Sequence, residues 1–201
     1  MRKVVWFIII LLALLVGIMS FMYLIYGANE GYLELKSKEV LKSWLWWSIL
    51  YIHIATGGIA IVIGWAQFSK KMQTTFIKWH RNLGKIYVVM ALLCAISGLY
   101  IGWYATGGWI PATGFITIAM IYFYTTLKGF LSIKNKQITE HQNYMTYSYA
   151  ACLATVTLRI YIPLSFALEI DYILAYSIIA WVAWVPNLAI AWWVNEKREK
   201  L

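Results

Sequence analysis

Six uninterrupted apolar runs, each long enough to cross a bilayer, take up nearly all of this 201-residue chain. They fall at about 4–26, 43–68, 83–104, 112–133, 144–166 and 172–194. Some ~20 apolar residues at ~1.5 Å rise per residue match a hydrocarbon layer ~30 Å thick. Inside that layer every backbone N–H and C=O needs an internal partner, and a helix is what runs of this length supply. Charged residues make up only 12% of the chain, against roughly 25% in an average soluble domain. The sequence therefore predicts an all-α polytopic membrane protein, a six-helix bundle forming one integral membrane domain over residues 1–201. The first run has no charge and no A-x-A cleavage site, and it exceeds the usual ~7–15-residue signal core, so it reads as an uncleaved anchor.

Lysine and arginine give the expected orientation. With the amino terminus cytoplasmic, that side collects thirteen basic residues, among them Arg2, Lys3, Lys78, Arg81, Lys85, Lys134 and Lys197, while the other side has only Lys36, Lys38 and Lys42. The positive-inside rule then puts both termini in the cytoplasm and the chain in the cell (inner or plasma) membrane. The same clustering accounts for the net charge of +9 through anionic headgroups, without a nucleic-acid partner. Trp44, Trp46, Trp47, Trp103, Trp109, Trp192 and Trp193 stand near span ends, where indole rings favour the headgroup layer.

Small and polar residues mark the faces that meet, because helices in lipid approach where side chains are short. Span two carries His53, Thr56, Ala60 and Gly64; span three carries His80, Gly84, Ala91, Ala95 and Gly98; span five carries His141, Ser148, Cys152, Thr155 and Arg159. Spans two, three and five are thus expected at the centre. Pro186 with Asn187 is expected to bend span six. Cys94 and Cys152 read as small core residues.

Two constellations could carry chemistry. Arg159 is costly in hydrocarbon, so it should face inward and find a partner; His53 lies at nearly the same depth, with Thr157 and Tyr161 as other candidates. This polar intramembrane pair would suit a quinone or other small anionic ligand. His80 and His141 both open spans that run outward from the cytoplasm, so they fall on one side of the bilayer. Two imidazoles on neighbouring helices can take the axial positions of haem b iron, with Arg81, Lys78 and Lys85 near its propionates. Equally, both could be interfacial residues that cap helices or pair with Glu140. The chain has no H-E-x-x-H, P-loop, dinucleotide fingerprint, G-x-S-x-G or C-x-x-C-H, and no catalytic residue is assigned.

The ordered combination of these residues is familiar. The stretch Trp79-His80-Arg81-Asn82-Leu83-Gly84-Lys85-Ile86-Tyr87 resembles a bacterial membrane family of uncharacterised role, domain of unknown function 2306. So do His53 with its glycines, His141-Gln142-Asn143-Tyr144-Met145, and Thr157-Leu158-Arg159-Ile160-Tyr161. The resemblance implies a multi-span bundle with polar positions at these places, and it brings no activity. A weaker similarity is to six-span b561-type cytochromes, which hold haem between paired histidines of their inner helices. His80 and His141 would mimic one such pair; His53 lacks a histidine opposite, with Met120 at comparable depth. Two functions remain open from the sequence. One is a haem b redox protein using His80 and His141. The other is a non-enzymatic bundle that binds lipid or a small anionic ligand, or assists assembly of another membrane complex.

Overall fold

A computed structural model describes residues 2–26 and 36–200. The described residues form helices only. They are α1 (Arg2–Tyr26), α2 (Lys38–Lys42), α3 (Trp44–Gly64), a 3-10 turn (Trp65–Phe68), α4 (Lys70–Thr74), α5 (Ile77–Trp103), α6 (Trp109–Lys134), α7 (Ile138–Cys152), α8 (Ala154–Ala167), α9 (Tyr172–Val182) and α10 (Val185–Glu199). Grouped by length and apolarity they make six membrane-spanning rods: α1, α3 with its 3-10 turn, α5, α6, α7–α8 and α9–α10.

Local chemistry sets where the rods begin and end. Ser43 caps α3 by accepting from the Trp46 N–H, and Asp171 caps α9 by accepting from the Leu174 N–H. Two rods finish in Schellman turns whose left-handed residue is not glycine. After α6, Lys136 has φ 62°, and Gln137 N–H reaches the Ser132 carbonyl. After α8, Glu169 has φ 53°, and Ile170 N–H reaches the Ser165 carbonyl. Between α5 and α6 the chain turns through Gly107 and Gly108 at φ 95° and 85°, a conformation that favours glycine.

Helix ends differ from the sequence expectation at the face that carries both termini. Span three starts at Ile77 rather than near 83, and span five at Ile138 rather than near 144. His80 and His141 therefore sit inside the first turns of long helices rather than on approaches to them. The fifth and sixth rods are each broken. The sixth breaks at Ala183–Trp184, just before Pro186, where Asn187 Nδ2 donates to the Ala183 carbonyl. The fifth breaks at Leu153, and Pro163 lies within α8.

α3 packs on α5, α5 on α6, α6 on α7, and α1 covers α3; α9 returns to α6 and α10 to α7. The expected centre of spans two, three and five is thus incomplete, because α6 of span four is equally central. It brings buried Tyr122, Thr125, Thr126 and Ser132. Close approach follows the small residues. A Cβ on Gly114 would stand 2.8 Å from the Ala180 carbonyl oxygen, and one on Gly129 2.7 Å from Met145 Sδ. Around Ala60, Ala91 and Ala95 the core excludes lipid, whereas large apolar side chains such as Phe7, Ile18 and Ile190 face outward.

Candidate functional site

The middle of the bundle fixes the register of everything else. Tyr87 on α5 and Ser148 on α7 share a hydrogen bond of 2.9 Å, and Ser148 shares another of 2.7 Å with Thr126 on α6. Ser148 and Thr126 are both fully buried. In low-dielectric surroundings a satisfied hydroxyl network rigidifies and specifies packing. α5 and α7 run in the same direction, so equal steps from this joint stay level.

Seven residues back from Tyr87 is His80, and seven back from Ser148 is His141. Seven residues are two turns, ~10.5 Å, and return to the same helix face. The parallel register thus sets His80 opposite His141 at the face bearing the termini, and the two are close enough for their charges to interact, as are His80 and Arg81. His141 Nδ1 lies 2.7 Å from the Gly129 carbonyl oxygen, which can only accept, so Nδ1 is the donor of that bond. His80 differs. Its Nδ1 is buried with no partner among the described residues.

Two more unpartnered donors stand on the 3-10 turn at the same end of the bundle, Trp65 Nε1 and Gln67 Nε2. Gln67 packs beside α5 one turn beyond His80, where a Cβ on Gly84 would meet its Oε1 at 3.2 Å. Sequence reading missed these two, and nothing in their spacing marks them. On the α7 side the C-terminal helix is tied down. Arg198 Nη1 donates to Asn143 Oδ1 at 2.8 Å and Arg198 Nη2 to Thr146 Oγ1 at 3.1 Å, while Asn195 Nδ2 donates to the Asn143 carbonyl at 3.1 Å.

Along α5 in the other direction, Cys94 lies fourteen residues beyond His80, ~21 Å at the helical rise. There His53 of α3 docks. Its Nδ1 is 2.9 Å from the Cys94 carbonyl oxygen and 3.3 Å from Ser97 Oγ. Gly98 makes room, since a Cβ there would sit 3.2 Å from the imidazole Cε1. Arg159 is within charge reach of His53, as the sequence depth suggested. Its Nη1 donates to Thr155 Oγ1 at 2.6 Å, while Thr157 instead receives Asn187 Nδ2 at 3.1 Å. Met120 is 52% exposed, and Ala119 is the α6 residue turned inward beside this site, so His53 and Met120 do not make an axial pair.

The histidines therefore form two separate places: His80 with His141 at one end, His53 with Arg159 in the other half. Cys94 and Cys152 are buried free thiols, as expected. Among the described residues no group of three or more His, Cys, Asp or Glu side chains comes together, so these residues build no tetrahedral zinc site.

The family model described as "Predicted membrane protein (DUF2306)" matches residues 50–195, and the chain belongs to that family. The match takes in His53, His80, His141 and Arg159. No curated protein matches the chain, and no solved structure does.

Proposed function

We propose that this integral membrane protein is an electron carrier that holds haem b between His80 and His141, with Arg81 beside a propionate. The observation that carries the reading is the level pairing of two imidazoles across parallel helices, fixed by the Tyr87–Ser148 joint two turns away. Two imidazoles are a donor set that haem iron takes. His141 is anchored through Nδ1 to a backbone carbonyl, the arrangement that orients a metal-binding imidazole and leaves Nε2 to ligate. Gln67, Trp65 and His80 keep buried nitrogens unpartnered at the same end, which a bound group would relieve. Arg81, Lys78 and Lys85 supply cations for carboxylates. When bound, haem supplies a one-electron iron couple. The protein's own residues would orient the ligating rings and neutralise the propionates, while Arg198 and Asn143 tie α10 over α7. In the same reading His53 and Arg159 are the recognition pair for a quinone or other small anionic molecule.

An absorption spectrum of the detergent-purified full chain tests the assignment. A Soret band in the wild type, lost in His80→Ala and in His141→Ala but kept in His53→Ala, is the expected result. Colourless protein from haem-replete cells overturns it and favours a non-enzymatic bundle.

A further inference from the structure

The face opposite the termini carries a cavity of about 260 Å³ that the histidine chemistry does not use. It opens between α2, the start of α3 and the end of α5, and is lined by Glu39, Val40, Ser43, Trp46, Tyr100 and Tyr104. Trp46 is only 2% exposed, so it does not belong to the headgroup belt where its position in the sequence puts it. Its indole Nε1 is buried and has no hydrogen-bond partner among the described residues. A second donor lies beside the wall, bonded to a lining residue. The Lys36 ammonium donates to the carbonyl oxygen of Tyr104, and among the described residues no carboxylate pairs with it. Burial lowers its pKa from 10.5 to about 8, the mark of a cation lacking an anion. The rings of Tyr100 and Tyr104 lie 5.2 Å apart and add two hydroxyls.

Charge and place narrow the ligand. Residues 36–42, the segment that supplies the lining Glu39 and Val40, hold Lys36, Lys38 and Lys42 against Glu39 alone. Trp44, two residues before Trp46, is 77% exposed at the helix start, as indoles in the headgroup layer are. An orphaned indole N–H, a desolvated ammonium and a headgroup-level mouth suit an anion with accepting oxygens. Glu39 refuses a second anion but accepts hydroxyl hydrogens. A zwitterionic head would bring a further cation to a rim already in lysine excess.

We propose that this cavity binds a glycerol phosphoester, the head of an anionic glycerophospholipid, with Lys36 and Trp46 Nε1 donating to the phosphate and Glu39 accepting from the glycerol hydroxyls. The site is independent of the histidine pair.

Native mass spectrometry of the full chain, from micelles holding equal phosphatidylglycerol and phosphatidylcholine of the same acyl chains, reads it directly. Phosphatidylglycerol is retained about tenfold over phosphatidylcholine, a factor typical of one charge-assisted contact. Lys36→Arg keeps the preference. Lys36→Gln abolishes it, and Trp46→Phe, which keeps a ring but loses the N–H, weakens it several-fold. Retention falls as pH rises through about 8 and Lys36 loses its proton; Glu39, Tyr100 and Tyr104 are the other ionisable side chains at the wall. Glycerol phosphate supplied alone, bound with the same Lys36 dependence, supports the site and makes its source a soluble phosphoester. Equal retention of the two lipids, or a preference unchanged in Lys36→Gln, overturns the proposal.

Discussion

His53 and His80 touch the same helix ~21 Å apart, yet their surroundings are opposites. His53 is locked: its Nδ1 meets the Cys94 carbonyl and Ser97, Gly98 is pressed against its ring, and Ala119 closes one side. His80 is open, with a buried nitrogen lacking any partner and two more unpartnered donors at the same end of the bundle. The same residue type is thus a joint in one place and keeps an unpartnered nitrogen in the other. What separates them is not depth but whether neighbouring backbone carbonyls reach the ring. His141 is between the two, its Nδ1 satisfied and its Nε2 uncommitted.

The sharpest way to break the contrast is to remove the joint that sets both registers. Ser148→Val strands the Tyr87 and Thr126 hydroxyls and crowds a fully buried site, so it should cost about 2–4 kcal/mol. Thermal unfolding in detergent measures the loss, and an unchanged melting temperature would show that the hydroxyl network does not hold α5 on α7. His53→Ala comes next, at about 2 kcal/mol from a lost buried hydrogen bond and an unfilled space. It should leave any Soret band in place, which separates a joint from a ligand.

His80→Phe is expected to do the reverse. In cofactor-free protein it should be neutral or stabilising by up to about 1 kcal/mol, since an orphaned nitrogen disappears, while the band is lost. A large destabilisation would make His80 a second joint and erase the contrast.

The smallest effect concerns Lys36, which has a carbonyl partner but no paired carboxylate among the described residues. Its folded pKa of about 8 lies below its ordinary 10.5, so between those values the unfolded chain binds more protons. Stability should therefore rise with pH from about 8 to 10.5, and Lys36→Gln should remove that rise. Unfolding measured at several pH values in neutral detergent reads it, and identical slopes in both proteins would mean that Lys36 is solvated.

Much of this was legible along the chain because lipid imposes a one-dimensional rule: a rod must be apolar for the thickness of the layer. The six spans, the breaks next to Pro186, the outward-facing Trp103 and Trp109, and the separation of His80 from His53 all follow from it. Less legible was anything that depends on which side of a helix meets which neighbour. Trp46 has the sequence context of Trp44 but the opposite burial, 2% against 77%. Ser148 marked a packing face in the sequence, but Thr126 was an ordinary polar residue in an apolar run until their helices met. Gln67 stood out by no spacing at all, because its buried nitrogen is a property of the packed turn.

The sequence by itself determined that this chain lies in a membrane as six helical rods, and which few polar groups would be costly there. Desolvation is read residue by residue and needs no partner to be known. Only the tertiary structure decided which of those groups are satisfied and which buried nitrogens find no partner among the described residues. That outcome depends on hydrogen-bond distances between residues dozens of positions apart, such as Tyr87 with Ser148 and His53 with Cys94, and no local pattern encodes them.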